Sequence, residues 1–138
     1  MLIKKIKLEN IRSYVNEEIN FPLGSTLLAG DIGSGKSSIL LAIDFVLFGL
    51  RKGNLSGASL LRNGTNRGMV ELYFTIDNKD VIIQRNLKRT NDGIIQDVGF
   101  ILINDERREA TAIELKHDIL NLLNYPKELL TKSKSLIY

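Results

Sequence analysis

Along Leu2–Leu8 the apolar residues Ile3, Ile6 and Leu8 are interspersed with Lys4, Lys5 and Lys7, a pattern that predicts an edge or half-exposed strand. Glu17–Phe21 predicts a second short strand, closed by Pro22, and after the turn at Gly24 the run Ser25-Thr26-Leu27-Leu28-Ala29 predicts a short buried one. From Ser38 to Gly49 the pattern becomes that of a helix ended by glycine. Ile39–Leu50 is apolar on nearly every side and interrupted only by Asp44, so this helix is expected to be buried by sheets on more than one face. The polar, glycine-rich stretch Arg51–Gly68 carries one short helical signal at Leu55–Leu61. Met69–Ile76, Asp80–Lys88 and Ile94–Ile103 then predict an antiparallel meander, its turns at Asp77-Asn78-Lys79 and Thr90-Asn91-Asp92-Gly93. Thr111-Ala112-Ile113-Glu114 fits a capping box and opens an amphipathic helix to about Leu123, with Ile113, Ile119, Leu120 and Leu123 as expected core positions. Pro126 opens a short helical segment and Lys134–Tyr138 is extended in pattern.

Between the predicted buried strand and the core helix lies Gly30-Asp31-Ile32-Gly33-Ser34-Gly35-Lys36-Ser37, which fits G-x-x-x-x-G-K-[ST] at every fixed position. Backbone N–H groups must converge on a di- or triphosphate, and Cβ atoms at several positions would block that approach. Gly30, Gly33 and Gly35 clear the space. Lys36 supplies a flexible cation for the β- and γ-phosphates, and Ser37 a hydroxyl for Mg²⁺. The helix that follows, entered through Ser38, directs its positive end at the anion. The chain is therefore expected to be an α/β P-loop NTPase that binds ATP with Mg²⁺.

At 138 residues the chain has the size of one domain, able to bury roughly two-thirds of its unfolded surface. Its 43% hydrophobic and 25% charged content exclude a disordered or fibrous class, and a net charge of +3 permits a nucleic-acid partner without demanding one. The absence of cysteine excludes disulfides, thiolate metal sites and cysteine nucleophiles. No secretory pattern opens the chain and no apolar stretch reaches the roughly 20 residues of a bilayer span, so a cytoplasmic location and no membrane partner are expected.

Hydrolysis needs more than a phosphate loop: an acid for Mg²⁺ on a neighbouring strand, and a group that positions water. The nearest string is Phe100-Ile101-Leu102-Ile103-Asn104-Asp105-Glu106. There Asn104 displaces the acids by one residue, which reverses their faces, so Asp105 and Glu106 read as a solvated hairpin turn. Asn78-Lys79-Asp80 lacks the residue that a guanine-specificity loop places between Lys and Asp. Gln84 and Gln96 lie in strand-like runs and are expected to face solvent, and His117, the single histidine, reads as a surface or interhelical residue. Arg51, Lys52, Arg62, Arg67, Lys88, Arg89, Lys127, Lys132 and Lys134 read by default as a solvated face, with phosphate contact as the alternative.

The segment Leu8-Glu9-Asn10-Ile11-Arg12-Ser13-Tyr14, the short strand ending near Phe21, the P-loop with Ser37-Ser38 and the helix ending Leu47-Phe48-Gly49 together resemble the SMC-like ATPases of DNA double-strand-break repair, of the Rad-fifty/SbcC type. The resemblance spans essentially the whole chain. It implies the N-terminal lobe of an ABC-type ATPase head, with an antiparallel β-meander and the P-loop helix packed in the core. It further implies a C-terminal half carrying the signature motif and Walker B beyond a long coiled coil, a homodimer of heads formed with ATP, a nuclease partner of the Mre-eleven/SbcD type, and DNA. By the same resemblance Arg12 and Ser13 approach the phosphates, Asn63–Gly68 with Thr65 and Arg67 lies near base and ribose, and a Q-loop glutamine is expected just past Tyr138. The chain stops inside an apolar run, as expected of a lobe cut before that loop.

Two positions depart from the family pattern. Ile32 stands where asparagine is usual, and Leu41 where aspartate is frequent; both bear on γ-phosphate sensing and leave the phosphate-binding residues intact. The alternatives are a RecF-like or OLD-like ATPase without a long coil, a P-loop small-molecule kinase, which would need a lid and an acceptor site, and a non-hydrolysing module using the loop as an anion site.

Overall fold

The computed structural model describes residues 1–21, 34–50 and 56–123, with the side chains of 34–37 outside the description. Six strands and three helices follow in the order β1 (Leu2–Ile11), β2 (Tyr14–Asn20), α1 (Ser34–Phe48), α2 (Gly57–Leu60), β3 (Arg67–Ile76), β4 (Lys79–Thr90), β5 (Gly93–Ile103), β6 (Glu106–Ala110) and α3 (Ala112–Leu123). The strands form one antiparallel sheet in the order β2-β1-β3-β4-β5-β6.

Tight turns set the sheet's register. Asp77 and Asn78 join β3 to β4, and Asn104 and Asp105 join β5 to β6, all four with positive φ (50°, 63°, 47° and 73°). Two left-handed residues in succession match the twist of the flanking strands, and Asn and Asp tolerate that conformation best among residues with a Cβ. Of the acidic pair after Ile103, Asp105 thus lies in a hairpin turn and Glu106 opens β6 opposite Ile103, both exposed, so the expected solvated turn holds for Asp105.

The core lies on one face of the sheet. Ile6 and Leu8 of β1, Val70, Leu72 and Phe74 of β3, and Val81, Ile83 and Leu87 of β4 all point inward at 0–1% exposure. Helix α1 covers them with Ile39, Ile43, Phe45, Val46 and Leu47, while α3 adds Leu115 and Ile119 and also buries Leu120. Each of these apolar side chains contributes about 1.5–3 kcal/mol on leaving water.

Several expectations need correction. β1 is half-exposed, as one of the two expected alternatives has it, but it is not an edge: it pairs with both β2 and β3, its lysines line the outer face of the sheet, and β2 and β6 are the edges. Among the described residues α1 meets one sheet, through β1, β3 and β4, and its other neighbour is α3. Ile113 is 72% exposed, because the helix turns Leu115 inward instead. β6 was missed, since Glu106-Arg107-Arg108-Glu109 carries no apolar alternation: an edge strand held by backbone pairing needs none. Gln84 and Gln96 turn to protein partners, Glu71 and Arg85 respectively. The capping box holds in both directions: Thr111 N–H donates to Glu114 Oε1 (2.9 Å) and Glu114 N–H to Thr111 Oγ1 (3.3 Å). His117 is exposed. The predicted strand Ser25–Ala29, the segment after Pro126 and Lys134–Tyr138 lie outside the described residues.

Candidate nucleotide-binding site

Asn10 and Arg12 flank the end of β1 with φ of 52° and 51°. Arg12 and Ser13 form the two-residue turn into β2, closed by the pair Ile11 and Tyr14. A left-handed non-glycine residue costs about 1–2 kcal/mol, so a pair of them so close together persists only when the surroundings fix them. Here the segment after α2 does so. Arg12 N–H donates to Leu60 O (2.8 Å), Arg62 N–H to Asn10 O (2.9 Å), and Ile11 and Leu61 form a bridge. Asn10 Nδ2 donates to Arg67 O (3.0 Å), and Arg62 Nη1 to the carbonyl of Arg12 (3.2 Å).

The adjoining loop is built the same way. Thr65 turns both its N–H (3.2 Å) and its Oγ1 (2.7 Å) onto Arg62 O. Arg89 of β4 holds the loop from the other side, its N–H donating to Asn66 O and its Nε to Thr65 O, both at 2.8 Å. Arg67 pairs with Asp97 at 3.1 Å in an exposed contact. The Asp97 carboxyl is held below its ordinary range, first by the N–H of Val98 and then by Arg67. Between turn and loop lies an open depression of about 290 Å³ lined by Arg12, Ala58, Ser59, Leu61, Arg62 and Asn63. Two guanidinium-bearing residues at its rim make it a place for an anionic or polar ligand.

Sequence reading placed Arg12 and Ser13 in one part of the site, and Thr65 and Arg67 in another. The structure joins the two segments into one hydrogen-bonded unit through Arg62 and Arg89, which in sequence read as solvated cations. Of the phosphate loop, Gly30, Asp31, Ile32 and Gly33 lie outside the described residues. Ser34, Gly35, Lys36 and Ser37 form the first turn of α1, and Ser38 is buried at 4% exposure. That first turn carries no acidic residue. The positive end of α1 is thus free of a carboxylate from its own first turn, which fits a phosphate there. Among the described residues no group of His, Asp and Glu is placed to hold a metal, and no helix is long and apolar enough to cross a membrane.

A wider groove of about 420 Å³ between β5, β6 and α3 contains Lys79, Arg108 and Asp118, and none of the predicted site residues. On the outer face of the sheet Glu71, 8% exposed, accepts from Tyr73 OH (2.5 Å) and Gln84 Nε2 (2.9 Å), with Lys7 at 3.8 Å. Burial and then the bond to Glu71 push the Tyr73 phenol upward. This network braces three strands at a distance from both candidate segments.

The family described as AAA domain matches residues 5–137. The DNA double-strand break repair Rad50 ATPase of Methanococcus maripaludis is 42% identical over 85 residues, covering 62% of this chain and 9% of that protein. The Rad50 ATPase of Sulfurisphaera tokodaii is 34% identical over 134 residues, covering 94% of this chain and 15% of that protein. The chain thus spans less than a sixth of the length of these relatives. Among solved structures, the recombination mediator protein RecF of the RecFOR pathway matches with a TM-score of 0.59 at 21% identity, over 86% of this chain and 29% of that one. The SMC head domain from Thermotoga maritima matches with a TM-score of 0.50 at 22% identity, over 86% and 42%. These likenesses establish the fold. With residues 5–137 matched, the chain belongs to the AAA domain family, and its sequence is similar to those of DNA double-strand break repair Rad50 ATPases.

Proposed function

We propose that this chain is the ATP-binding N-terminal lobe of an ABC-type repair ATPase head. The observation that carries the reading is the passage from Gly30-Asp31-Ile32-Gly33 into the first turn of α1, where Ser34, Gly35, Lys36 and Ser37 follow without a competing carboxylate. In this reading the backbone of residues 30–38 wraps the phosphates and Lys36 stabilises charge developing between the β- and γ-phosphates. Ser37 would hold Mg²⁺, which would supply positive charge to offset that of the phosphates. The Arg12-Ser13 turn addresses the phosphates from β1, and the loop with Thr65 and Arg67 lies toward base and ribose. Arg12 suits its role because a guanidinium pairs with phosphate in two parallel bonds.

The chain supplies half of a composite site. The acid and the water-positioning group are assigned to a C-terminal half of the same head, and the signature motif to a second head that docks when ATP is bound. Engagement of the heads then acts on attached coils, on a nuclease partner and on DNA, inside the cell. RecF shares the fold, but the 34–42% identity to Rad50 ATPases against 21% to RecF supports the repair-ATPase branch.

The test is to mix the chain with a C-terminal half from a Rad50-type relative and measure oligomeric state and phosphate release with Mg²⁺-ATP. ATP-dependent dimerisation with turnover that Lys36→Ala abolishes is the expected result. Strong turnover by the chain alone would sink the composite site, and Mg²⁺-ATP binding untouched by Lys36→Ala would sink the P-loop assignment.

A further inference from the structure

Arg85 is the largest fully buried side chain among the described residues, 1% exposed on the inner face of β4 between Ile83 and Leu87. A buried cation is costly unless fully hydrogen-bonded. Four neutral oxygens accept from it. Nε donates to Val46 O (2.8 Å) and Nη2 to Leu47 O (3.4 Å), while Nη1 reaches Gln96 Oε1 (3.0 Å) and Ala112 O (3.5 Å). Burial brings the guanidinium pKa down to about 10.

Val46 and Leu47 are in the last turn of α1, whose carbonyls have no partner within the helix and carry the negative end of its dipole. α1 has no basic residue in that turn, so the cation comes from β4. Gly49, with φ of +86°, lies beside it: a Cβ there would stand 3.3 Å from Gln96 Nε2 and at ordinary contact, 3.5 Å, from Arg85 Nη1. Arg85 therefore ties the far end of the P-loop helix to β4, to β5 through Gln96, and to the first residue of α3.

We propose that Arg85 is a positioning residue for phosphate binding: by fixing the C-terminal end of α1 against the sheet and α3, it fixes the axial placement of the Gly35-Lys36-Ser37 turn at the other end. The proposal rests on the nucleotide-binding reading above. α1 transmits the constraint because a 15-residue helix is a stiff rod of roughly 22 Å. Lysine at this position cannot span the helix end, Gln96 and Ala112 together.

The experiment compares the intact chain with Arg85→Lys, Gln96→Ala and a core control, Leu120→Ala, at a temperature where each is folded. The probes are Mg²⁺-ATP and inorganic triphosphate. Arg85→Lys should weaken both about tenfold and Gln96→Ala about threefold, whereas Leu120→Ala should lower Tm yet leave both affinities within twofold. The triphosphate arm matters because a displaced phosphate turn weakens it as much as ATP. If Arg85→Lys does not fold, Gln96→Ala decides, since it leaves the bonds to Val46 and Leu47 in place. Unchanged affinities in the folded variants, or equal weakening in the core control, overturn the proposal while wild-type binding stands. Failure of the wild-type chain to bind either probe overturns the nucleotide reading and this inference with it.

Discussion

The side chain of Arg62 donates to the backbone carbonyl of Arg12 at 3.2 Å, joining two segments fifty residues apart. A cation here serves the main chain of another cation, and the effect is to hold Arg12 in a left-handed conformation that it would not adopt unaided.

Arg62→Ala should therefore weaken Mg²⁺-ATP binding by threefold or more while costing only about 1 kcal/mol of stability, the net worth of one part-buried hydrogen bond. Isothermal titration beside thermal unfolding checks the pair. Loss of stability without loss of affinity would detach the Arg12 turn from the nucleotide.

Gly68 packs against the same turn. A Cβ on it would lie 2.7 Å from Leu61 Cδ1, 3.1 Å from Asn10 O and 3.2 Å from Glu9 O. Gly68→Ala is expected to cost about 1–3 kcal/mol by overpacking and to displace the β1 end. Gly64→Ala meets no atom within 4 Å, so its cost is the strain of φ +83° alone, about 1 kcal/mol. Denaturant unfolding of the two variants should rank them in that order.

At the start of α3 the reciprocal bonds between Thr111 and Glu114 cap two of the helix's orphan N–H groups. Thr111→Ala should cost about 1 kcal/mol and let the first turn fray, visible as faster amide exchange at Ile113 and Glu114 with the core strands unchanged.

Acid should act through two carboxylates. The N–H and hydroxyl of Thr111 hold the Glu114 pKa below its ordinary 4.5, and the Val98 N–H and then Arg67 hold Asp97 below 3.8. Each is depressed in the folded state, so each contribution is present above the unfolded pKa and is lost as pH falls through the folded one. Carboxyl NMR titration should find both midpoints under those values. Alanine at Thr111 removes the hydroxyl but keeps the N–H, the larger cause, so Glu114 should rise only in part and Asp97 should stay where it is.

Much of the meander was legible because its signals are local: strand alternation, Asn and Asp at the turns, and a capping box of four consecutive residues. The features that escaped are ones in which a distant partner overrides the local pattern. Ile113 reads as core on spacing but faces solvent, since α3 is rotated to bury Leu115. Glu106–Ala110 has no apolar period yet pairs with β5 through its backbone. Arg62 and Arg89 read as surface charge because nothing near them in sequence reveals the carbonyls of Arg12, Thr65 and Asn66. Arg85 did carry a signal, for it occupies the inward register of Val81, Ile83 and Leu87, where a solvated cation cannot stand.

The strand order also sets a timetable for synthesis. β3 to β6 follow one another through hairpin turns and can zip as they emerge, whereas β1 needs β3, whose first residue comes 56 positions after the last of β1. At roughly 5–20 residues per second the nascent β1–β2 hairpin waits on the order of seconds with Ile6 and Leu8 uncovered. Lys4, Lys5 and Lys7 give it a charge that discourages pairing with neighbouring chains during that interval.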